Sequence, residues 1–176
     1  MKQRYEMKEV VRKEIFHSWL QSYQGILYKI IRAYSSSPMD QDDLFQEIAL
    51  QLWRSIPSFR SEAKASTWIY RVALNTAIAW QGKEKKHGKQ ESIDKVEHWI
   101  YHAESANRDE RLEWLYQEIV MLNKVDRSIA LLLLDGFSYQ EMSELIGITE
   151  NNLAVKIHRI KKHLILKSEK YERHGV

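Results

Sequence analysis

The sequence contains no cysteine, which excludes disulfides, thiolate nucleophiles and every cysteine-ligated zinc site. Proline occurs only twice and glycine six times, and no low-complexity tract is present, so little interrupts regular structure. The longest purely apolar run, "IALLLL" at 129–134, falls far short of the roughly 18 residues that span a bilayer. The N-terminus, "MKQRYEMKEVVRKEIF", is charged throughout and lacks the apolar centre of a signal peptide. These absences predict a cytoplasmic protein with no direct membrane insertion.

What is present is a helical pattern. Apolar residues recur at threes and fours almost everywhere, and a 44% hydrophobic share of 176 residues can fill one core or two small ones. The fold class expected is all-α. The net charge of +3 is mild, but its distribution is not even. Between Lys156 and Arg173 seven Lys/Arg stand against two Glu, a run that suits either a solvated helix face or a polyanion.

A first helical region spans about Arg4 to Tyr34, with Val11, Ile15, Trp19, Tyr23, Leu27 and Ile31 at every fourth position and Gly25 as the candidate break. Pro38 in "SSSPMD" interrupts it. Asp40 is the expected cap of the next helix, which buries Leu44, Ile48 and Leu52 and closes at Pro57. "SFRSEAKAS" reads as a polar loop, and "TWIYRVALNTAIAW" as a helix with Ile69, Val72, Ala73, Thr76 and Trp80 on its inner side.

After Trp80 the glycine-spaced, charged stretch "QGKEKKHGKQES" reads as a linker, with a weak helical pattern at Ile93, Val96 and Ile100. Leu112, Leu115, Ile119 and Leu122 mark a further helix, and "DRSIALLLLDG" a nearly buried one stopped by Gly136. The expected organisation is a helical domain over 1–81, a linker over 82–107 and a helical domain over 108–176. With no additional domain at either end, no built-in sensing is expected.

The most informative stretch is "DGFSYQEMSELIGITENNLAVKIHRIKKHL". Ser138 and Glu141 form a capping box, Met142, Leu145 and Ile146 an inner face, and Gly147 a left-handed stop. Ile148 fills the elbow, and Thr149 caps a last helix. On that helix Leu153, Ile157, Ile160 and Leu164 fall within about 40° of one line. Asn151, Val155, His158 and Lys162 lie opposite, flanked by Asn152 and Arg159. Amides suit adenine edges, cations suit guanine or phosphate, and an isopropyl group suits a thymine methyl. The pattern is that of a DNA-reading helix-turn-helix; a plain helical hairpin with a solvated face is the alternative.

Enzymatic signatures are missing. The seven histidines, at 17, 87, 98, 102, 158, 163 and 174, are scattered, and no glutamate follows His98 as a zinc protease would need. No phosphate loop, nucleophile elbow or supported carboxylate pair is present. No catalytic residue, metal, cofactor or small-molecule substrate is expected.

On these residues the sequence resembles a known family. "GFSYQEMSELIGITENNLAVKIHRIKKHL" resembles region 4 of bacterial sigma factors, and "DQDDLFQEIALQLWRSIPSFRSEAKASTWIYRVALNTAI" is similar to region 2. The ordered pair with a linker between looks like the compact extracytoplasmic-function (group IV) class, over about residues 14 to 166. The resemblance implies a protein that binds core RNA polymerase, directs it to a promoter and helps open the duplex. It assigns "DDLFQEI" to polymerase binding, with Asp43, Gln46 and Glu47 offered to a basic helix and Leu44 packing below them. It assigns "FRSEAKASTWIYRVALN" to the melted minus-ten element: Arg60, Lys64 and Arg71 on phosphates, Asn75 on a base edge, and Ser61, Ser66, Thr67 and Trp68 around the captured strand. For Trp68 a place in the core and a stacking role stay equally open. The minus-thirty-five element falls to Thr149, Asn151, Asn152, Val155, Lys156, His158, Arg159 and Lys162.

One departure stands out. Many relatives carry a Lys-Ser-Arg-like triplet where this chain has Ala154, Val155 and Lys156, so the preferred upstream sequence is expected to differ, with a thymine under Val155. The class also implies an anti-sigma partner, which no residue identifies. The rival reading is a stand-alone helix-turn-helix regulator that never meets polymerase.

Overall fold

The computed structural model describes residues 2–60, 64–84 and 109–174, and among them every regular element is helical. The chain divides into two compact units between Tyr101 and His102. Most of the expected linker, and with it the weak pattern at 93–100 and the His98/His102 pair, lies outside the described residues.

In the first unit α1 (Lys2–Ser22) and α2 (Gln24–Tyr34) meet at Tyr23, two residues before the glycine expected to separate them. Tyr23 has φ −117° and ψ 18°, a backbone open to any residue, so the junction needs no glycine. The break changes which side is inward: Trp19 and Leu20 are buried on α1, and Leu27, Ile30, Ile31, Ala33 and Tyr34 on α2, while Val11 stays exposed.

The start of α3 (Pro38–Ser55) also corrects the expectation. Ser37, not Asp40, is the cap: its hydroxyl accepts the Asp40 backbone N–H at 3.1 Å. Pro38, expected only to interrupt, opens the helix at its first position, where a missing N–H costs nothing. The Asp40 carboxylate turns back and accepts the Ser36 hydroxyl at 2.8 Å and the Ser36 N–H at 3.2 Å. Leu44, Ile48 and Leu52 are fully buried as their spacing required, and a 3-10 turn at Ile56–Ser58 containing Pro57 ends the run.

Helix α4 (Ala65–Glu84) packs against α2 and α3, and extends three residues into the expected linker. Its buried face is Ile69, Tyr70, Ala73, Leu74 and Ala77. Val72, Thr76 and Trp80, expected inside, are half-buried, because they border an open depression at the α3 edge and not the core. Arg12 ties α1 to the end of α3. Its guanidinium donates to the Trp53 carbonyl at 2.6 and 3.2 Å and stacks 4.2 Å from the Trp53 ring. That carbonyl belongs to the last turn, which has no helical donor left for it.

The second unit begins with α5 (Glu110–Met121), capped by Asp109, and α6 (Lys124–Leu134), capped by Asn123. Residues 127–132 of α6 are all buried, while the last two leucines of "IALLLL" are not: Leu133 is half-buried and Leu134 exposed. Buried Arg127 donates to the carbonyls of Val120 and of Leu122, the latter at 3.1 Å, so it serves the end of α5 as Arg12 serves α3. Gly136 leaves α6 with φ 76°. Then α7 (Tyr139–Ile146) and α8 (Glu150–His174) follow, and both pack on α6.

Candidate nucleic-acid interface

Local chemistry sets the geometry of α7 and α8. Ser138 accepts the Glu141 backbone N–H at 3.2 Å, and the Glu141 carboxylate accepts the Ser138 N–H at 2.9 Å, so both halves of the capping box are made. Gly147 sits at φ 77°, ψ 33°, where a side chain would be strained, and turns the chain toward α8. Thr149 accepts the Asn152 N–H at 3.3 Å and so acts as the cap of α8. Met142, Leu153, Ile157 and Ile160 are buried together, locking the two helices to one core.

The opposite side of α8 is open. Asn151, Asn152, Val155, His158, Arg159 and Lys162 are all exposed, with Val155 at 50%. Lys161 is exposed on the flank. Lys156 is different: it is half-buried, and its Nζ lies 2.8 Å from Asp126 Oδ1. Lys167 stays exposed but lies 3.8 Å from Glu118, with His163 at 3.9 Å from the same carboxylate. Among the described residues Arg159, Lys161 and Lys162 form no ion pair. Among the described cations of α8, Lys156 and Lys167 are therefore paired with acids of α6 and α5, while Arg159, Lys161 and Lys162 are not.

In the first unit Arg60, Lys64, Arg71 and Asn75 are exposed, and Ser66 and Thr67 are half-buried at the start of α4. Ser61 lies outside the described residues. Trp68 is half-buried, its indole N–H donating to Ser55 Oγ at 3.1 Å and its ring 5.7 Å from Phe59, which in turn meets Trp19 edge-on at 5.2 Å. This aromatic chain anchors the loop after α3 to the bundle. Asn75 borders an open depression of about 710 Å³ between α3 and α4, shared with Glu47, Gln51, Arg54, Thr76 and Trp80.

On α3, Asp43 and Gln46 are exposed, while Leu44 is wholly buried beneath them. Glu47 is half-buried and accepts the Gln51 amide at 2.9 Å. Two residues that the sequence reading missed complete the exposed stripe: Met39, 46% exposed, and Leu50, 42% exposed. Their spacing from Asp43 and Gln46 is four residues, which places all four on one face. A wheel drawn outward from Asp43 would have found them.

Residues 19–87 match the family model for Sigma-70 region 2, and residues 112–164 that for Sigma-70, region 4. An ECF RNA polymerase sigma-E factor of Haemophilus influenzae is 26% identical over 162 residues, 85% of each chain. The RNA polymerase sigma factor YlaC of Bacillus subtilis is 26% identical over 171 residues, covering 92% of this chain and 98% of that one. Among solved structures, the complex of the sigma factor RpoE with the anti-sigma factor NepR from Bartonella quintana matches with a TM-score of 0.64 at 21% identity, over 86% of this chain and 94% of that one. CnrH, solved with the cytosolic domain of CnrY, matches with a TM-score of 0.63 at 16% identity, over 90% of both chains. The last two likenesses concern the fold.

Proposed function

The chain belongs to the sigma-70 family, in the extracytoplasmic-function class of RNA polymerase sigma factors, and from that premise we propose how its two units share the work of initiation. The second unit lays α8 in the major groove of the minus-thirty-five element. The first unit holds core polymerase on the α3 stripe and the melted minus-ten strand along α4 and the loop before it. The observation that carries the reading is the outward face of α8, where amides, an isopropyl group and unpaired cations sit together on a helix fixed by the capping box and Gly147.

On that face Asn151 and Asn152 offer amides to adenine edges, and Val155 offers its methyls to a thymine. His158, Arg159 and Lys162 flank them toward the phosphates, and Thr149 sets the entry of the helix. In the first unit Arg60, Lys64 and Arg71 are exposed cations for a single-strand backbone, and Asn75 is an exposed amide for a base. Ser66 and Thr67 edge that path. Trp68 supports it from within, since its ring and N–H are engaged with Phe59 and Ser55.

The polymerase-facing stripe joins Asp43 and Gln46 to Met39 and Leu50, an acid and an amide between two apolar ends. Such a mixed surface is what a basic amphipathic partner helix fits. Leu44 contributes by packing beneath, and Glu47 from the margin of the stripe. A sigma factor is a non-enzymatic initiation factor, and among the described residues no helix is long and apolar enough to cross a membrane. We place the protein in the cytoplasm, where its polymerase is, and expect an anti-sigma factor to hold it in reserve.

The test is transcription in vitro with the purified chain, bacterial core polymerase and a pool of randomised promoter duplexes. Specific initiation, with two conserved elements recovered from the transcripts, is the expected result. Sequence-specific duplex binding without initiation would instead make the chain a stand-alone regulator.

A further inference from the structure

The cations of α8 do not all face the same way, and the exception lies in the middle of the recognition helix. Lys156 sits roughly 70° from the core line of the helix and about 110° from the centre of its outward face. It is half-buried, and its Nζ meets Asp126 Oδ1 at 2.8 Å. The other oxygen of that carboxylate accepts the Asn123 amide at 2.6 Å, and Asn123 in return accepts the Asp126 backbone N–H at 3.0 Å. Asn123 caps α6 and Asp126 lies in its first turn, where a negative charge is favoured. The carboxylate is therefore fixed by the helix it belongs to, and Lys156 closes on a fixed point.

We propose that Lys156 is a positioning residue, which clamps the recognition helix to the start of α6 through Asp126, and that the phosphate contacts of this helix belong to Arg159, Lys161 and Lys162. The inference rests on the reading of α8 as the duplex-reading helix and refines it. A buried apolar seam fixes the depth of α8 on its core but tolerates rotation and sliding by fractions of a turn. A charge-assisted bond 2.8 Å long between α6 and α8 removes that freedom. Asn151 and Val155 lie within one turn and a half of the clamp, so small rotations there would move them across the base edges. Charge that is spent inside the unit releases no counterion from DNA.

Salt dependence separates a phosphate contact from a clamp. A lysine on a phosphate contributes about one to the slope of log affinity against log salt, whatever the DNA sequence. The experiment measures holoenzyme binding, full chain with core polymerase, to the promoter selected from the randomised pool and to the same promoter with its upstream element scrambled, across a salt series. Lys162→Met should lower the slope by about one and weaken both promoters alike. Lys156→Met should leave the slope unchanged and lower the ratio of intact to scrambled affinity about two- to fivefold, the range expected of a partly exposed ion pair. Asp126→Asn should lower the same ratio, the double variant should be no worse than either single, and Lys156→Arg should restore it. A loss of folded protein cannot change that ratio, so the readout is independent of stability.

Lys156→Met reducing the slope as Lys162→Met does, with Asp126→Asn silent, would overturn the clamp and leave the duplex reading intact. Lys162→Met without effect on slope or affinity would overturn the duplex reading itself.

Discussion

Val155 stands half exposed in the middle of a face otherwise made of amides and cations. An isopropyl group there has no polar partner to satisfy, and under the proposed reading it is the group that would meet a thymine methyl. Val155→Ser should shift base preference at one upstream position by about 1 kcal/mol and leave melting temperature unchanged; promoter selection with the variant checks it. Asn151→Ala should relax preference at a neighbouring position in the same assay. Asp40 carries a prediction of another kind. Burial alone would raise its carboxyl, but the bonds it receives from Ser36 and Ser37 hold it below the ordinary value of 3.8. A carboxyl depressed in the folded state adds stability above its unfolded value, and that stability is lost as pH falls through the depressed one. Thermal melts between pH 6 and roughly pH 3 should therefore fall more steeply for the wild type than for Asp40→Asn, which has no charge to lose. Parallel curves would contradict this role.

The elements differ in how plainly the sequence announced them. The capping box, turn glycine and Thr149 cap were legible because each rests on contacts no more than a few residues apart, and α7 and α8 formed as their pattern required. Leu44, Ile48 and Leu52 were equally legible, since one face of one helix met one core. The break at Tyr23 was not, because it is set by where α2 must lie and not by any residue that forces a turn. The cap of α3 was misread for a related reason: Ser37 and Asp40 are both good caps, and only the backbone direction decides between them. On α4 Ile69 and Ala73 are buried as their spacing predicts, but Val72, Thr76 and Trp80 are only half-buried, and Tyr70, Leu74 and Ala77 complete the core face instead. Two substitutions weigh these elements. Gly147→Ala meets no atom within 4 Å of its new Cβ, so its whole cost is the left-handed backbone, about 1–2 kcal/mol, read as a drop in melting temperature. Leu44→Ala should cost about 2–5 kcal/mol by opening a cavity, while Asp43→Ala should stay within about 0.5 kcal/mol and lose affinity for core polymerase instead. Calorimetry and a polymerase pull-down on the same two variants separate packing from docking on a single helix.

At the scale of the molecule, the sequence carried the all-α class, the two-module plan and the ordered pair of motifs, because each is written in periodicity or in short-range signals. It did not carry the sorting of the basic residues. Lys156, Arg159, Lys161 and Lys162 look alike in a charge run, and only the approach of α6 turns the first of them inward to Asp126. Met39 and Leu50 were within reach of a helical wheel but were passed over, since apolar side chains are looked for inside and these two stand exposed. In the proposed function recognition is divided, with the second unit choosing the upstream element and the first the melted one. The most direct test selects promoters from one randomised pool with the wild-type chain, with Val155→Ser and with Asn75→Ala, and compares the recovered elements position by position. Val155→Ser should alter the upstream element alone and Asn75→Ala the downstream element alone. Upstream changes from Asn75→Ala, or an unaltered upstream element from Val155→Ser, would contradict that division.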